Sequence, residues 1–84
     1  MLYYLIVCTS LTQAQRSIQY LERAGIHGWL LRSPMAISGT GCGYSVKIAQ
    51  KNLNAALTIL RRYQVPYVGV YVGSPQEGYQ EVLL

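Results

Sequence analysis

The chain has only 84 residues, and it contains the same sequence pattern twice. This duplication is the strongest constraint on the fold. Each copy has a β-type segment, an amphipathic helical segment, one helix-breaking residue, a β-branched residue and a second β-type segment. The helix ends align at residues 21–30, LERAGIHGWL, and residues 60–69, LRRYQVPYVG. A chain of this length forms one domain, in which two such strand–helix–strand units must share a single sheet.

Hydrophobic periodicity assigns the individual elements. Residues 3–8 are an unbroken apolar and aromatic run, typical of a central strand, whereas residues 44–48 alternate between apolar and polar as a half-buried strand does. Apolar residues also recur at helical spacing in two segments. The predicted strands are 3–8, 26–31, 44–48 and 67–72, and the predicted helices are 12–24 and a second one that begins after Asn52.

The order βαββαβ predicts an α+β, ferredoxin-like sandwich, in which two helices cover one face of a four-stranded antiparallel sheet. Right-handed crossovers place the first and third strands in the centre of that sheet. Residues 1–72 are predicted to form this single domain. Residues 73–84, which contain Pro75 and Gly78, are predicted to form a C-terminal tail that is loosely held or docked on a partner.

Composition narrows the functional classes. Apolar residues make up 51% of the chain and charged residues only 12%, which excludes intrinsic disorder. The apolar excess predicts that the free sheet face is covered in a homodimer, a larger homo-oligomer or a complex with a partner. The net charge of +4 is dispersed, so nucleic acid is disfavoured as a ligand. The apolar stretch 2–7 is too short for a signal peptide core or a membrane span, which predicts a cytoplasmic location with reduced thiols.

The predicted topology brings separate parts of the sequence to one edge of the sheet. The end of the first strand, the start of the first helix, the end of the second strand and the start of the third strand meet there. This arrangement places Cys8, Thr9, Ser10, Arg32 and the loop 39–43 close together. We expect a functional site at this edge.

The pentapeptide Gly39-Thr40-Gly41-Cys42-Gly43 is the most unusual segment of the chain. Glycines on both sides permit positive φ and keep larger side chains away from the sulfur. Beside backbone N–H groups, a helix N-terminus and Arg32, the Cys42 thiol is expected to be a nucleophilic thiolate with a lowered pKa. The alternative is a plain glycine-rich turn with an inert cysteine, which composition alone favours. As a phosphate-binding motif, the segment lacks the P-loop lysine.

The other candidate residues are less suited to a catalytic or metal-binding role. Cys8 ends a buried strand and is expected in the core, although its position near Cys42 permits a transient disulfide. His27 is the sole histidine and is predicted on the surface at the opposite edge, so neither a metal nor a cofactor is expected. The three glutamates are scattered, which leaves acid–base catalysis without its usual groups. An enzyme with its own turnover is therefore a weaker prediction than a protein that carries a group on a thiol or a module that binds a ligand.

A family resemblance adds to these observations. An opening strand leads through Cys8-Thr9-Ser10 into a helix that ends in Leu21-x-x-Ala24-Gly25-Ile26, and Pro34 and a loop that ends in Cys42-Gly43 follow. Over roughly residues 3–72, this arrangement resembles the selenium/sulfur carrier-like family of small bacterial and archaeal proteins. In the loop, glycines replace some of the small hydroxyl residues that the family tends to carry before Cys-Gly.

The resemblance implies that Cys42 accepts a sulfane sulfur or selenium atom as a persulfide or selenopersulfide and passes it to a downstream enzyme. It implies donor and acceptor proteins as partners, with the glycine-rich loop, Thr9, Ser10 and Arg32 around the thiolate. The competing interpretation is a non-catalytic module of the same fold. Such a module binds a small anionic ligand through the glycine-rich loop or oligomerises through its sheet.

Overall fold

The computed structural model describes residues 3–32, 43–74 and 76–82. In chain order the elements are β1 (Tyr3–Cys8), α1 (Leu11–Arg23), β2 (Trp29–Arg32), β3 (Tyr44–Ala49), a 3₁₀ turn (Gln50–Asn52), α2 (Leu53–Arg62), β4 (Gly69–Ser74) and β5 (Gly78–Glu81). The five strands form one sheet in the order β2-β3-β1-β4-β5. Every pair of neighbouring strands is antiparallel.

The structure confirms an α+β fold with two helices, and it corrects the number of strands. The first and third strands pair antiparallel, as predicted, from Tyr3↔Ala49 to Cys8↔Tyr44. The sheet has five strands rather than four, so the four-stranded ferredoxin-like sandwich is not confirmed. The additional strand comes from the segment predicted to be a tail: β4 continues to Ser74, and β5 pairs with β4.

Two glycines allow the β4–β5 hairpin to form. Gly73, with φ +147°, and Gly78, with φ +85°, both adopt backbone conformations that residues with a Cβ atom rarely enter. The strand after the turn, GYQE, has no apolar alternation, so hydrophobic periodicity gives no signal for it. This short polar segment extends the sheet because the edge of β4 offers unpaired backbone groups.

Both helices pack on one face of the sheet, where their apolar stripes join the inward side chains of β1, β3 and β4 in a single buried cluster. The largest fully buried apolar side chains of this cluster are Ile6, Leu21, Ile48, Leu60 and Val46. Successive strand residues point to opposite faces, so Leu5 and Val7 lie on the other face, where they are only 4% and 6% exposed. The centre of that face is thus buried within one chain, and the homo-oligomer stays a prediction.

Both helices end in the same backbone geometry, which explains the repeat in the sequence. The N–H groups of Ile26 and Val65 each donate to a carbonyl five residues earlier, both at 2.9 Å. The preceding residue has a positive φ in both cases, +83° at Gly25 and +56° at Gln64. This is the Schellman arrangement, which favours glycine, so the backbone at Gln64 is strained where that at Gly25 is not.

We expect Gln64→Gly to raise the free energy of unfolding by about 0.5–1 kcal/mol. Glycine removes the conformational energy that a residue with a Cβ atom has in the left-handed region. Glycine also increases the conformational entropy of the unfolded chain, which cancels only part of this stabilisation. Gly25→Ala should lower the free energy of unfolding by about 1 kcal/mol through backbone strain alone, because the new Cβ would meet no atom within 4 Å. Urea unfolding measures both changes, and changes of the same sign would show that the two helix ends are not equivalent.

Candidate functional site

The strand register brings three chain segments together at one edge of the sheet. Arg32 at the end of β2 pairs with Tyr44 at the start of β3, and Tyr44 pairs in turn with Cys8 at the end of β1. Gly43 precedes this row, and the start of α1 follows it. We call this set the Cys8 edge: Cys8, Thr9, Ser10, Arg32, Gly43 and Tyr44.

The loop predicted to carry the reactive thiol is only partly covered by the structure. Gly39, Thr40, Gly41 and Cys42 lie outside the described residues. Gly43 is described and has φ +133°, a conformation that a residue with a Cβ atom rarely adopts. The entry into β3 therefore depends on the glycine that directly follows Cys42.

Cys8 is a core residue, as predicted. Its side chain is 1% exposed, and its Sγ lies 3.9 Å from the carbonyl oxygen of Ile6 and 4.0 Å from Oγ of Ser17. The hydroxyl of Ser17 also donates to the carbonyl of Gln13 at 3.0 Å. Burial raises the pKa of the Cys8 thiol, and the hydrogen bond with Ser17 opposes this effect only in part. Cys8 is therefore a protonated, inaccessible thiol at neutral pH.

Thr9 and Ser10 are engaged in the first turn of α1. Ser10 Oγ accepts a hydrogen bond from the N–H of Gln13 at 3.2 Å. Gln13 Oε1 accepts from both the N–H of Thr9, at 3.2 Å, and its hydroxyl, at 2.6 Å. Ser10 therefore caps the helix start, and Gln13 reaches back to Thr9, the residue before the cap, rather than to the N–H of Ser10 as in a capping box. The contact from Gln13 back to Thr9 was not predicted from the sequence and is visible only in the structure.

Arg32 supplies positive charge to the Cys8 edge. Its side chain is exposed, and its Cζ lies 6.0 Å from the centre of the Tyr44 ring. No salt bridge of its guanidinium is found with the described parts of the chain. The charge of Arg32 is therefore not cancelled by a neighbouring carboxylate, and it can act on an anion at this edge.

A second cluster, at the opposite edge of the sheet, was not found from the sequence. The Trp29 ring lies perpendicular to the Tyr3 ring, at 5.9 Å and 86°, and to the His27 ring, at 4.4 Å and 88°. Lys47 Nζ lies 4.4 Å from the centre of the Tyr3 ring. His27 is exposed, as predicted, but its ring contact with Trp29 was not anticipated. The available signal was a single tryptophan on a short strand with little apolar alternation.

Metal binding and membrane insertion find no support in the described residues. Residues 3–32, 43–74 and 76–82 contain no group of three or more His, Cys, Asp or Glu side chains that could hold a metal ion. No helix in these ranges is both long enough and apolar enough to cross a membrane. The cytoplasmic location and the absence of a cofactor stay predictions.

The fold and the Cys8 edge define a class: a small α+β domain with one antiparallel sheet. At this edge, an arginine without a salt bridge to the described residues lies with a glycine of positive φ and a capped helix start. The chain belongs to the family described as "Putative Se/S carrier protein-like", whose model matches residues 3–72. The resemblance stated from the sequence motifs is thereby confirmed. No curated protein matches the chain.

Proposed function

We propose that this protein carries a sulfur or selenium atom, as a persulfide or selenopersulfide on Cys42, and delivers it to a partner protein. The family match over residues 3–72 carries the proposal. The described part of the Cys8 edge supports it with an arginine that forms no salt bridge there, and with the positive φ of Gly43, the residue after Cys42. A family of carrier-like proteins implies partner proteins in general, and we propose a persulfide donor and an acceptor enzyme as these partners.

The transfer that we propose is redox-neutral. The Cys42 thiolate attacks the outer sulfur of the donor's persulfide, and a bond forms between that sulfur and Sγ of Cys42. The sulfur–sulfur bond of the donor breaks, and the donor leaves as a thiolate with the bonding electron pair. Cys42 then holds the persulfide, and an acceptor thiolate repeats the exchange. Each step needs a thiolate, because the protonated thiol is a poor nucleophile.

Arg32 is the described residue best suited to favour this thiolate. It lies at the end of β2, next in sequence to the segment that contains Cys42, and its charge is exposed and not neutralised by a described carboxylate. The hydroxyl of Thr9 already donates to Gln13 Oε1, whereas Ser10 Oγ accepts from the N–H of Gln13 and keeps its own proton. Neither hydroxyl carries a charge. We therefore assign the main electrostatic contribution to Arg32.

Arg32→Gln should slow alkylation of Cys42 at pH 7 by about three- to tenfold, because loss of the positive charge lowers the thiolate fraction. The rate is measured by mass spectrometry of iodoacetamide-treated protein in a Cys8→Ala background, so that one thiol is followed.

Arg23→Gln is the matched control for this experiment. It removes the same charge from the other end of α1, a helix of 13 residues, about 20 Å along the axis from the Cys8 edge. Equal rates in the two variants would rule out a specific effect of Arg32.

Sulfur loading tests the proposed function itself. The protein is incubated with a cysteine desulfurase and cysteine, and intact-mass spectrometry records whether one sulfur atom is added. We expect the addition in the wild type and none in Cys42→Ser. An unchanged mass in the wild type would contradict the proposed carrier function.

A further inference from the structure

The edge of the sheet opposite the Cys8 edge contains a cavity of about 400 Å³. This volume lies within the range of small-molecule binding sites. The cavity lies where β1 and β2 begin and β3 ends. We call it the far-edge cavity, and it is lined by Tyr3, Gly25, His27, Trp29, Ala49, Lys51 and Asn52.

Aromatic rings dominate the wall of the far-edge cavity. Trp29 is 44% exposed, although it is the largest apolar side chain of the protein. The rings of Tyr3 and His27 both stand nearly perpendicular to it, at 86° and 88°. Ala49 presents only a methyl group beside them. A half-exposed tryptophan beside two further rings favours a ligand with a planar ring, which can stack on the part of the indole that its neighbours leave open.

The charge around the far-edge cavity favours an anion. Lys51 lines it directly, and Lys47 Nζ lies 4.4 Å and 5.7 Å from the ring centres of Tyr3 and Trp29. Because the Lys47 ammonium group already lies close to these rings, a cationic ligand would be repelled there.

One carboxylate lies near, in an adjoining cavity. The described lining of the far-edge cavity includes no carboxylate, whereas Glu22 lines a neighbouring cavity of about 180 Å³. Glu22 Oε2 lies 3.8 Å from Nδ1 of His27, a residue that lines both cavities. Among the described lining residues, Lys51 thus carries the one formal charge, and it is positive.

We propose that the far-edge cavity binds a small nucleotide, with its base stacked on Trp29 and its phosphate beside Lys51. The planar base matches the aromatic wall, and the phosphate matches the ammonium group. Asn52, between Lys51 and the start of α2, adds an amide that can donate to the phosphate or to the sugar. The site requires no part of the loop that contains Cys42, and it is independent of the proposed carrier function.

Trp29 is the only tryptophan in the chain, so its fluorescence reports on this cavity directly. Titration with AMP should quench the fluorescence saturably, with half-saturation below about 1 mM. Adenosine, which lacks the phosphate, should bind at least about fivefold more weakly, and inorganic phosphate should not quench. No saturable change with AMP up to about 10 mM, or equal affinity for adenosine, would overturn the proposal.

Lys51→Gln should weaken AMP binding by at least about fivefold, because it removes the charged partner of the phosphate. Lys51 is exposed, so the melting temperature should stay close to that of the wild type. Arg62→Gln is the matched control: it removes the same charge from the other end of α2, about 15 Å along the axis, and binding should stay within about twofold. Equal losses in both variants would show a general effect of charge and overturn the assignment.

Two further experiments test whether the site is independent of Cys42 and whether it binds a mononucleotide or a longer RNA. Cys42→Ser should bind AMP as the wild type does, whatever the outcome of the sulfur-loading experiment. A cavity of about 400 Å³ holds one nucleotide, so a single-stranded RNA of about six nucleotides should bind within about threefold of AMP. RNA binding that is more than about tenfold tighter would replace the mononucleotide site with an extended RNA surface.

Discussion

Cys42→Ser should abolish sulfur loading, whereas Cys8→Ala should load as the wild type does. The difference is expected because the two cysteines have different surroundings. Cys8 is 1% exposed, and burial raises the pKa of its thiol, so it offers neither access nor a thiolate to a donor protein. Only Cys42 has glycines on both sides and follows a segment that begins next to Arg32.

The loading experiment is read as the mass of one added sulfur atom and as its removal by a reductant, which distinguishes a persulfide from other modifications. Cys8→Ala is preferred to Cys8→Ser because a hydroxyl in this apolar position would be costly to bury. Ser17 keeps its hydrogen bond to the carbonyl of Gln13 in that variant. Loading that persists in Cys42→Ser and disappears in Cys8→Ala would move the carrier role to the buried thiol and contradict the proposal.

Gly73→Ala should lower the free energy of unfolding by about 3 kcal/mol or more. A Cβ at this position would overlap the carbonyl oxygen of Gly78 and lie 2.9 Å from Cα of Tyr79, while φ is +147°. The obstructing atoms belong to the backbone of β5, so no side-chain rotation relieves the overlap. We expect β5 to separate from β4. Urea unfolding measures the loss of stability, and faster hydrogen exchange at the N–H of Val82, which bonds to Val70, reports the separation.

Gly78→Ala provides the control for the same hairpin. Gly78 also has a positive φ, +85°, but a Cβ there would meet no atom within 4 Å. Its substitution should therefore cost only about 1–2 kcal/mol of backbone strain. If Gly73→Ala were no more destabilising than Gly78→Ala, the close approach of β4 to β5 would not contribute to the stability of the fold.

The central part of the fold was predictable because long apolar patterns leave few alternatives. The predicted first strand coincides with β1, Tyr3–Cys8, and the predicted third strand differs from β3 only at its last residue. The fifth strand was missed because its four residues are mostly polar and its existence depends on the edge of β4. A backbone edge is a property of the assembled sheet, and no local pattern in residues 78–81 reports it.

One part of the candidate site could likewise be predicted from the sequence, and another part could not. Arg32, Tyr44 and Cys8 lie in one row because β3 pairs with both β2 and β1. The antiparallel pairing of the first and third strands was predicted from the sequence. The different roles of Thr9 and Ser10 could not, because a hydroxyl at a helix start serves equally as a cap or as a ligand donor until its partner is known. In the structure, that partner is Gln13, one turn into α1.

The sequence by itself determined the α+β class, the two helices, the glycine stop after the first of them, and the edge of the sheet at which Cys8 and Arg32 lie. These features depend on periodicity and on backbone conformation, which are local properties of the chain. Only the tertiary structure decided the fifth strand, the burial of Cys8 against Ser17, and the perpendicular rings of Tyr3, His27 and Trp29. These features depend on distances between segments far apart in sequence, and such distances exist only once the sheet has formed.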